Sequence, residues 1–258
     1  MTAAGKRRSA IASSFIAAAN RESRKGVDGP SLILLHYTGI ASAKAAIDWL
    51  VCERSRVSCH YLVDEAGEVT QMVEEHERAW HAGESCWQGL TDINSASIGI
   101  EVQNPGHELG YPPFPEPQMA AVEALCLDIM RRHGISGDRV IGHSDVAPTR
   151  KADPGEKFDW ARLGRRGVGV WREAASVEGD AGLGLGDEGE EVARLRAALG
   201  SIGFGIAASA RFDPLTEQTV TAFQRHWRQQ RVDGRLDRST LRTLESVRLA
   251  FSAARAGS

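Results

Sequence analysis

Three side chains able to share one metal ion are spread along the chain. His36 closes the apolar run "SLILLHYTG", His143 follows "DRVIG", and Asp153 lies ten residues further on in "GHSDVAPTRKADPG". Two imidazoles and a carboxylate form a three-ligand set for Zn²⁺ that leaves the fourth tetrahedral position to water, as catalytic rather than structural sites do. Such an ion brings the pKa of its water down to about 7. Glu101, in "SIGIEVQN", is then a candidate base that takes the water proton and passes it to a leaving amine. Lys151, two residues before Asp153, is a candidate cation for a developing oxyanion. Spacing alone leaves a second reading open. In it the loop is structural, Asp145 and Asp153 pair with Arg150 and Lys151, and the histidines are surface residues or hydrogen-bonded core groups.

These groups need a scaffold, and the pattern around them supplies one. The run ending at His36 reads as a strand covered on both faces. In "SAKAAIDWLVCERS" the residues Ala43, Ile47, Leu50 and Val51 have helical spacing, with Ser42 as N-cap. "HYLVDEAGEVTQMVEE" reads as a hairpin around Glu65, Ala66 and Gly67. In "SIGIEVQN" Ile98, Ile100 and Val102 alternate with Gly99, Glu101 and Gln103, which puts the carboxylate on the face opposite the aliphatic one. A Pro-rich loop leads into a helix from about Pro117 to His133, stopped by Gly134. "DRVIGHSD" reads as a last short strand over 138–145, and "KFDWARLG" as a closing helix. The expected fold is α/β, a mixed central β-sheet flanked by helices.

After Trp171 the composition changes. "EAASVEGDAGLGLGDEGEE" has no hydrophobic period and reads as a linker. Beyond it lie three helical patterns, about 188–200, 214–229 and 237–249, with Asp213–Pro214 and Asp237 as helix starts. A small all-α three-helix domain is expected there, with Phe223 and Trp227, at i and i+4, read as core and a ligand platform as the alternative.

The chain has 258 residues, 42% of them hydrophobic, and a formal net charge of -3. That provides no basic field for nucleic acid. The four cysteines include no C-x-x-C pair and read as free thiols, with a Cys52–Cys59 bridge left open. The N-terminal stretch has a basic start, but its apolar part is mostly Ala and Ser, so it is weak as an export signal. No segment approaches the length of a membrane span. A cytoplasmic location is the expectation, with periplasm or secretion as the alternative, and oligomeric state is undetermined.

The segments "ILLHYTG", "SCHYLVDEAGEV", "RAWHAGESCW", "SIGIEVQNPG" and "GHSDVAPTRKADPGEKFDW" occur in the order and at the spacing of the zinc-dependent N-acetylmuramoyl-L-alanine amidases. The chain resembles the amidase-2 group, in particular its AmiD/AmpD-like members, over about residues 30–165. The resemblance implies Zn²⁺ on His36, His143 and Asp153, Glu101 and Lys151 as the catalytic pair, and peptidoglycan or anhydro-muropeptides as substrate. Implied is hydrolysis of the amide between N-acetylmuramic acid, or its anhydro form, and L-alanine, in cell-wall recycling or remodelling. The alternative is a non-catalytic peptidoglycan-binding or sensing protein.

"GDEGEEVARLRAALGSIGF", "RFDPLTEQTVTAFQRHW" and "RVDGRLDRSTLRTL" resemble a three-helix peptidoglycan-binding domain, although "GIAASARFDP" lacks the usual Asp-Gly before its Phe. The expected organisation is an N-terminal extension (1–29), a catalytic domain (30–172), a linker (173–186) and this module (187–258). Candidate substrate contacts are Asn104, Arg150, His60, His81 and Trp80. For the two histidines a non-ligand, hydrogen-bonded role competes, for Asn104 a turn role before Pro105, for Arg150 a solvated surface role, and for Trp80 core packing. Trp87 is read with Trp80 as a wall for sugar or peptide.

Overall fold

The computed structural model describes residues 9–177 and 179–256. The basic start of the chain, residues 1–8, lies outside the described residues. Contacts divide the chain into two compact units, residues up to 83 with 92–141, and residues 84–91 with those from 142 onward.

The first unit is built on a sheet. In chain order it contains β1 (Ser14–Phe15), β2 (Arg21–Ser23), β3 (Leu32–Tyr37), α1 (Ala43–Val51), β4 (Tyr61–Val63), β5 (Val69–Gln71), β6 (Glu77–Ala79), α2 (Ile93–Ala96), β7 (Ser97–Val102), α3 (Glu116–His133) and β8 (Val140–Gly142). Six strands pair in the order β1-β5-β4-β7-β3-β8, while β2 and β6 form a separate ribbon. The six-stranded sheet is mixed: β3 and β4 run parallel to β7, and β4 is antiparallel to β5. Leu32–Leu35 are fully buried, which is why that strand reads as an unbroken apolar run.

Helices cover the sheet. The Ser42 hydroxyl accepts from Ala45 N, and α1 packs through Ala46 and Leu50 on Leu62, Met72 and Val73. Gln118 of α3 donates to the carbonyls of Val63 and Gln103. Arg132 of the same helix pairs with Glu75, which also accepts from the Tyr61 hydroxyl at 2.6 Å. Tyr61 and Leu62 point to opposite faces of β4, so α1 and α3 lie on opposite sides. Gly134, at φ 67°, ends α3 in the left-handed region that glycine adopts without strain.

The second unit holds α4 (His143–Val146), α5 (Trp160–Arg165), α6 (Glu190–Ile202), α7 (Pro214–Trp227) and α8 (Arg238–Ala256). Asp213 caps α7 through Thr216 N and Asp237 caps α8 through Thr240 N, as the sequence indicates. Three details differ from expectation. The strand read over 138–145 stops at Gly142, because Asp145 Oδ2 accepts the Gly142 N–H at 2.7 Å and turns the chain into α4. The last helix runs past 249 to Ala256, since Leu244, Val247 and Phe251 continue its buried stripe. Trp87 is not a surface wall: it is fully buried against Phe204 and Phe251. Phe223 and Trp227 are also fully buried. Cys52 and Cys59 are free thiols.

Candidate metal centre and active site

His36, near the end of β3, is in register with Glu101 on β7. Residues paired across a parallel ladder point to the same face, so a ligand candidate and a base candidate emerge side by side. His143 opens α4 immediately after β8, the neighbour of β3 in the sheet. Asp153 is tied back to it: Ser144 N donates to Asp153 O at 2.9 Å, and His143 Nδ1 lies 2.9 Å from Asp153 Oδ2. His36, His143 and Asp153 are all buried, and the ligand atom that each offers lies within 4.8 Å of the others. Bonds of about 2 Å to a tetrahedral ion place ligand atoms roughly 3.3 Å apart. A buried set of two nitrogens and one oxygen at this separation therefore fits a divalent cation.

The imidazole of His36 is held by a second one. His36 Nε2 lies 3.0 Å from His81 Nδ1, and His81 Nε2 lies 3.3 Å from Ser97 Oγ. Asn94 Oδ1 accepts from the backbone N–H of both His81 and Ala82, which fixes the segment carrying the ring. Gly99 makes room for it, because a Cβ there would meet the His81 ring at 2.5 Å. His60 stands apart from the ligand set. Its Nδ1 accepts from Gly99 N at 3.0 Å and its Nε2 donates to Glu77 O at 3.1 Å. Burial and the nearby Arg24 guanidinium hold its pKa down to about 3, so this ring is a neutral framework group. Cys59 is no nucleophile either, since burial, reinforced by the Glu101 carboxylate, keeps the thiol protonated.

The remaining candidates are distributed differently. Lys151 lines a cavity of about 350 Å³ together with Thr149, Arg150, Gln218, Thr221 and Arg225. Its backbone N–H donates to Ala147 O, which places it one turn beyond α4. Asn104 takes the turn role: its Nδ2 donates to Pro112 O and its Oδ1 accepts from Gly106 N, and the residue is buried. Arg150 Nε donates to the backbone O of Glu84 at 3.0 Å, which anchors the loop. Trp80 is half-buried, its indole N–H donating to Glu22 Oε1 with the Arg56 guanidinium over its ring. Asp145 does not pair as the structural-loop reading required; it bonds to Gly142 and to His226 on α7. The Gly-x-x-Asp spacing of a helix start was visible in "GHSD", whereas nothing marks His226 from 81 residues away.

Residues 26–156 match the family described as N-acetylmuramoyl-L-alanine amidase (Amidase_2). The chain belongs to this amidase family. Residues 188–244 match a peptidoglycan binding domain family. The chain is 32% identical over 231 residues to the N-acetylmuramoyl-L-alanine amidase AmiD of Escherichia coli, covering 84% of this chain and 81% of that protein. The solved structure of E. coli AmiD with anhydro-N-acetylmuramic acid-L-Ala-D-gamma-Glu-L-Lys superposes with a TM-score of 0.72 at 30% identity, covering 88% and 91% of the two chains. AmpDh3 of Pseudomonas aeruginosa in complex with anhydromuramic pentapeptide superposes with a TM-score of 0.69 at 27% identity, covering 84% and 90%. This chain is accordingly an amidase with a site compatible with a metal ion. No helix among the described residues is long and apolar enough to cross a membrane.

Proposed function

We propose that this amidase hydrolyses the amide between the lactyl group of N-acetylmuramic acid, or its anhydro form, and L-alanine of the stem peptide, using zinc held by His36, His143 and Asp153. The observation that carries this reading is the convergence of those three buried side chains. Zinc bound there would supply Lewis acidity, polarising the scissile carbonyl and making water acidic enough to attack at neutral pH.

The chain's own groups handle the protons and the charge. Glu101, beside His36 in the ladder, accepts the proton of the attacking water as its oxygen bonds to the lactyl carbon. When the C–N bond breaks, Glu101 returns that proton to the alanine nitrogen, which leaves as an amine. The Lys151 ammonium stabilises the negative charge on the carbonyl oxygen in the tetrahedral state. Among the other candidates, Arg150 and Trp80 are assigned to the stem peptide as contacts, and the functional division assigned to the chain is a catalytic domain over 30–172 and a helical module over 187–258.

The test is turnover of a purified anhydro-muropeptide by the full chain before chelation, after it, and after zinc is restored. Loss on chelation and recovery with zinc is the expected result; cleavage that persists in fully metal-free protein overturns the mechanism. Sedimentation of the full chain with purified sacculi, with and without residues 188–256, tests peptidoglycan recognition by the helical module.

A further inference from the structure

The last turn of α7 grips the segment that carries His143 and Asp153. His226 Nδ1 lies 2.8 Å from Asp145 Oδ2, and both residues are buried. The rings of Trp160 and Trp227 stack on His226 at centroid distances of 3.7 and 3.6 Å. The same Asp145 oxygen accepts from Gly142 N, the residue just before His143. Gly142 leaves no room for a side chain: a Cβ there would meet Pro154 Cδ at 2.8 Å and the Trp160 ring at 3.3 Å, and Pro154 is the residue just after Asp153. Two more bonds tie the end of α7 and the residues just after it to neighbouring loops, Trp227 Nε1 to Val170 O and Gln229 Nε2 to Phe158 O, each 2.8 Å.

Both backbone neighbours of the ligand pair thus rest on one cluster, and one carboxylate oxygen links that cluster to α7. His226 Nε2 and Asp145 Oδ1 make no further hydrogen bond among the described residues. Burial lowers the His226 pKa against the opposing pull of Asp145, so the ring is neutral and its one proton sits on Nδ1, where the carboxylate accepts it.

We propose that His226 is a positioning residue for the metal centre: through Asp145 it fixes the backbone from which His143 departs. The helical module then acts on metal retention, beyond any role in recognising the cell wall. This inference rests on the reading of His143 and Asp153 as metal ligands. An ordinary packing contact would change stability and leave the ion's affinity and ligand field unaltered. Outer groups that orient ligands typically change metal affinity 10- to 100-fold when removed.

The test uses the full chain as wild type, His226→Leu, His226→Asn and His143→Ala. Zinc affinity is measured by competition with a chromogenic chelator, the ligand field by the visible spectrum of Co²⁺-loaded protein, and folding by circular dichroism. His226→Leu is expected to weaken zinc binding at least about tenfold and to shift the Co²⁺ bands, while His226→Asn, whose amide nitrogen reaches the Nδ1 position, stays within about threefold of wild type. A folded His226→Leu with wild-type affinity and spectrum overturns the proposal. Should the leucine variant not fold, His226→Gln, whose amide reaches the Nε2 position instead, replaces it, and equal affinity of the Asn and Gln variants overturns the proposal. Wild type that binds no zinc, or His143→Ala that binds it normally, defeats the ligand assignment, a failure read in different samples.

Discussion

His36 and Glu101 are direct partners in the parallel ladder of β3 and β7. Strands in a sheet lie about 4.8 Å apart, so the backbone itself sets the spacing between the metal-ligand candidate and the base candidate. Neither depends on a mobile loop for its position. Glu101→Gln keeps the size and removes the proton acceptor. It is expected to lower kcat by about 10²- to 10⁴-fold with zinc content unchanged. Steady-state hydrolysis paired with metal analysis checks it, and loss of zinc together with activity would make Glu101 a structural group.

Gly99 permits the His36–His81 contact. Gly99→Ala places a methyl 2.5 Å from the His81 ring and displaces it. Overpacking of this kind costs about 1–3 kcal/mol. Thermal melts should show that loss together with weaker zinc binding; unchanged values in both would remove His81 from the support of His36.

Metal binding should raise stability by mass action. A free ion at about 100 times its Kd adds about 2.7 kcal/mol if it binds only the folded chain. The melting temperature should therefore climb with zinc in the wild type and stay flat in Asp153→Ala. A parallel climb in both would place the ion elsewhere.

Acid sensitivity should come in two windows. The His60 pKa is held at about 3, below its ordinary 6.5, so the unfolded chain binds the proton more readily. Its contribution is complete above about 6.5 and drains away as pH falls toward about 3. Burial pushes the Glu75 carboxyl up, but hydrogen bonds from Arg132, His133 and Tyr61 outweigh it and bring the pKa down to about 2 from 4.5. Its contribution fades only between 4.5 and 2. Denaturant titrations of His60→Asn should thus flatten the pH dependence between 6.5 and 4.5, reduce it between 4.5 and 3, where the two contributions overlap, and leave it unchanged below 3; an unchanged upper slope would contradict a neutral His60.

Trp87→Ala is expected to cost about 3–5 kcal/mol, the usual range for a fully buried tryptophan. Equilibrium unfolding measures it. A cost below about 1 kcal/mol would return Trp87 to the surface role that the sequence suggested.

The strands bearing His36 and Glu101 were legible because their signals are local: a closed apolar run and a strict alternation. The helix starts at Ser42, Asp213 and Asp237 were legible for the same reason, each needing only a few residues to declare itself. What escaped depends on contacts between distant residues. "HAGESCW" contains nothing to say that Phe204 and Phe251 will close over Trp87. Asp145 looked like a partner for nearby cations, yet its real partner is on a helix 81 residues away. His60, His81 and His36 resemble one another as letters. Only the contacts each ring makes in the folded chain separate a framework ring from a supporting ring and a ligand candidate.

The bond from Ser144 N to Asp153 O staples together the two ends of the loop that runs from His143 to Asp153. An ion bound there would meet a rim that the chain itself holds, with the entropy of closing that loop already spent on the fold.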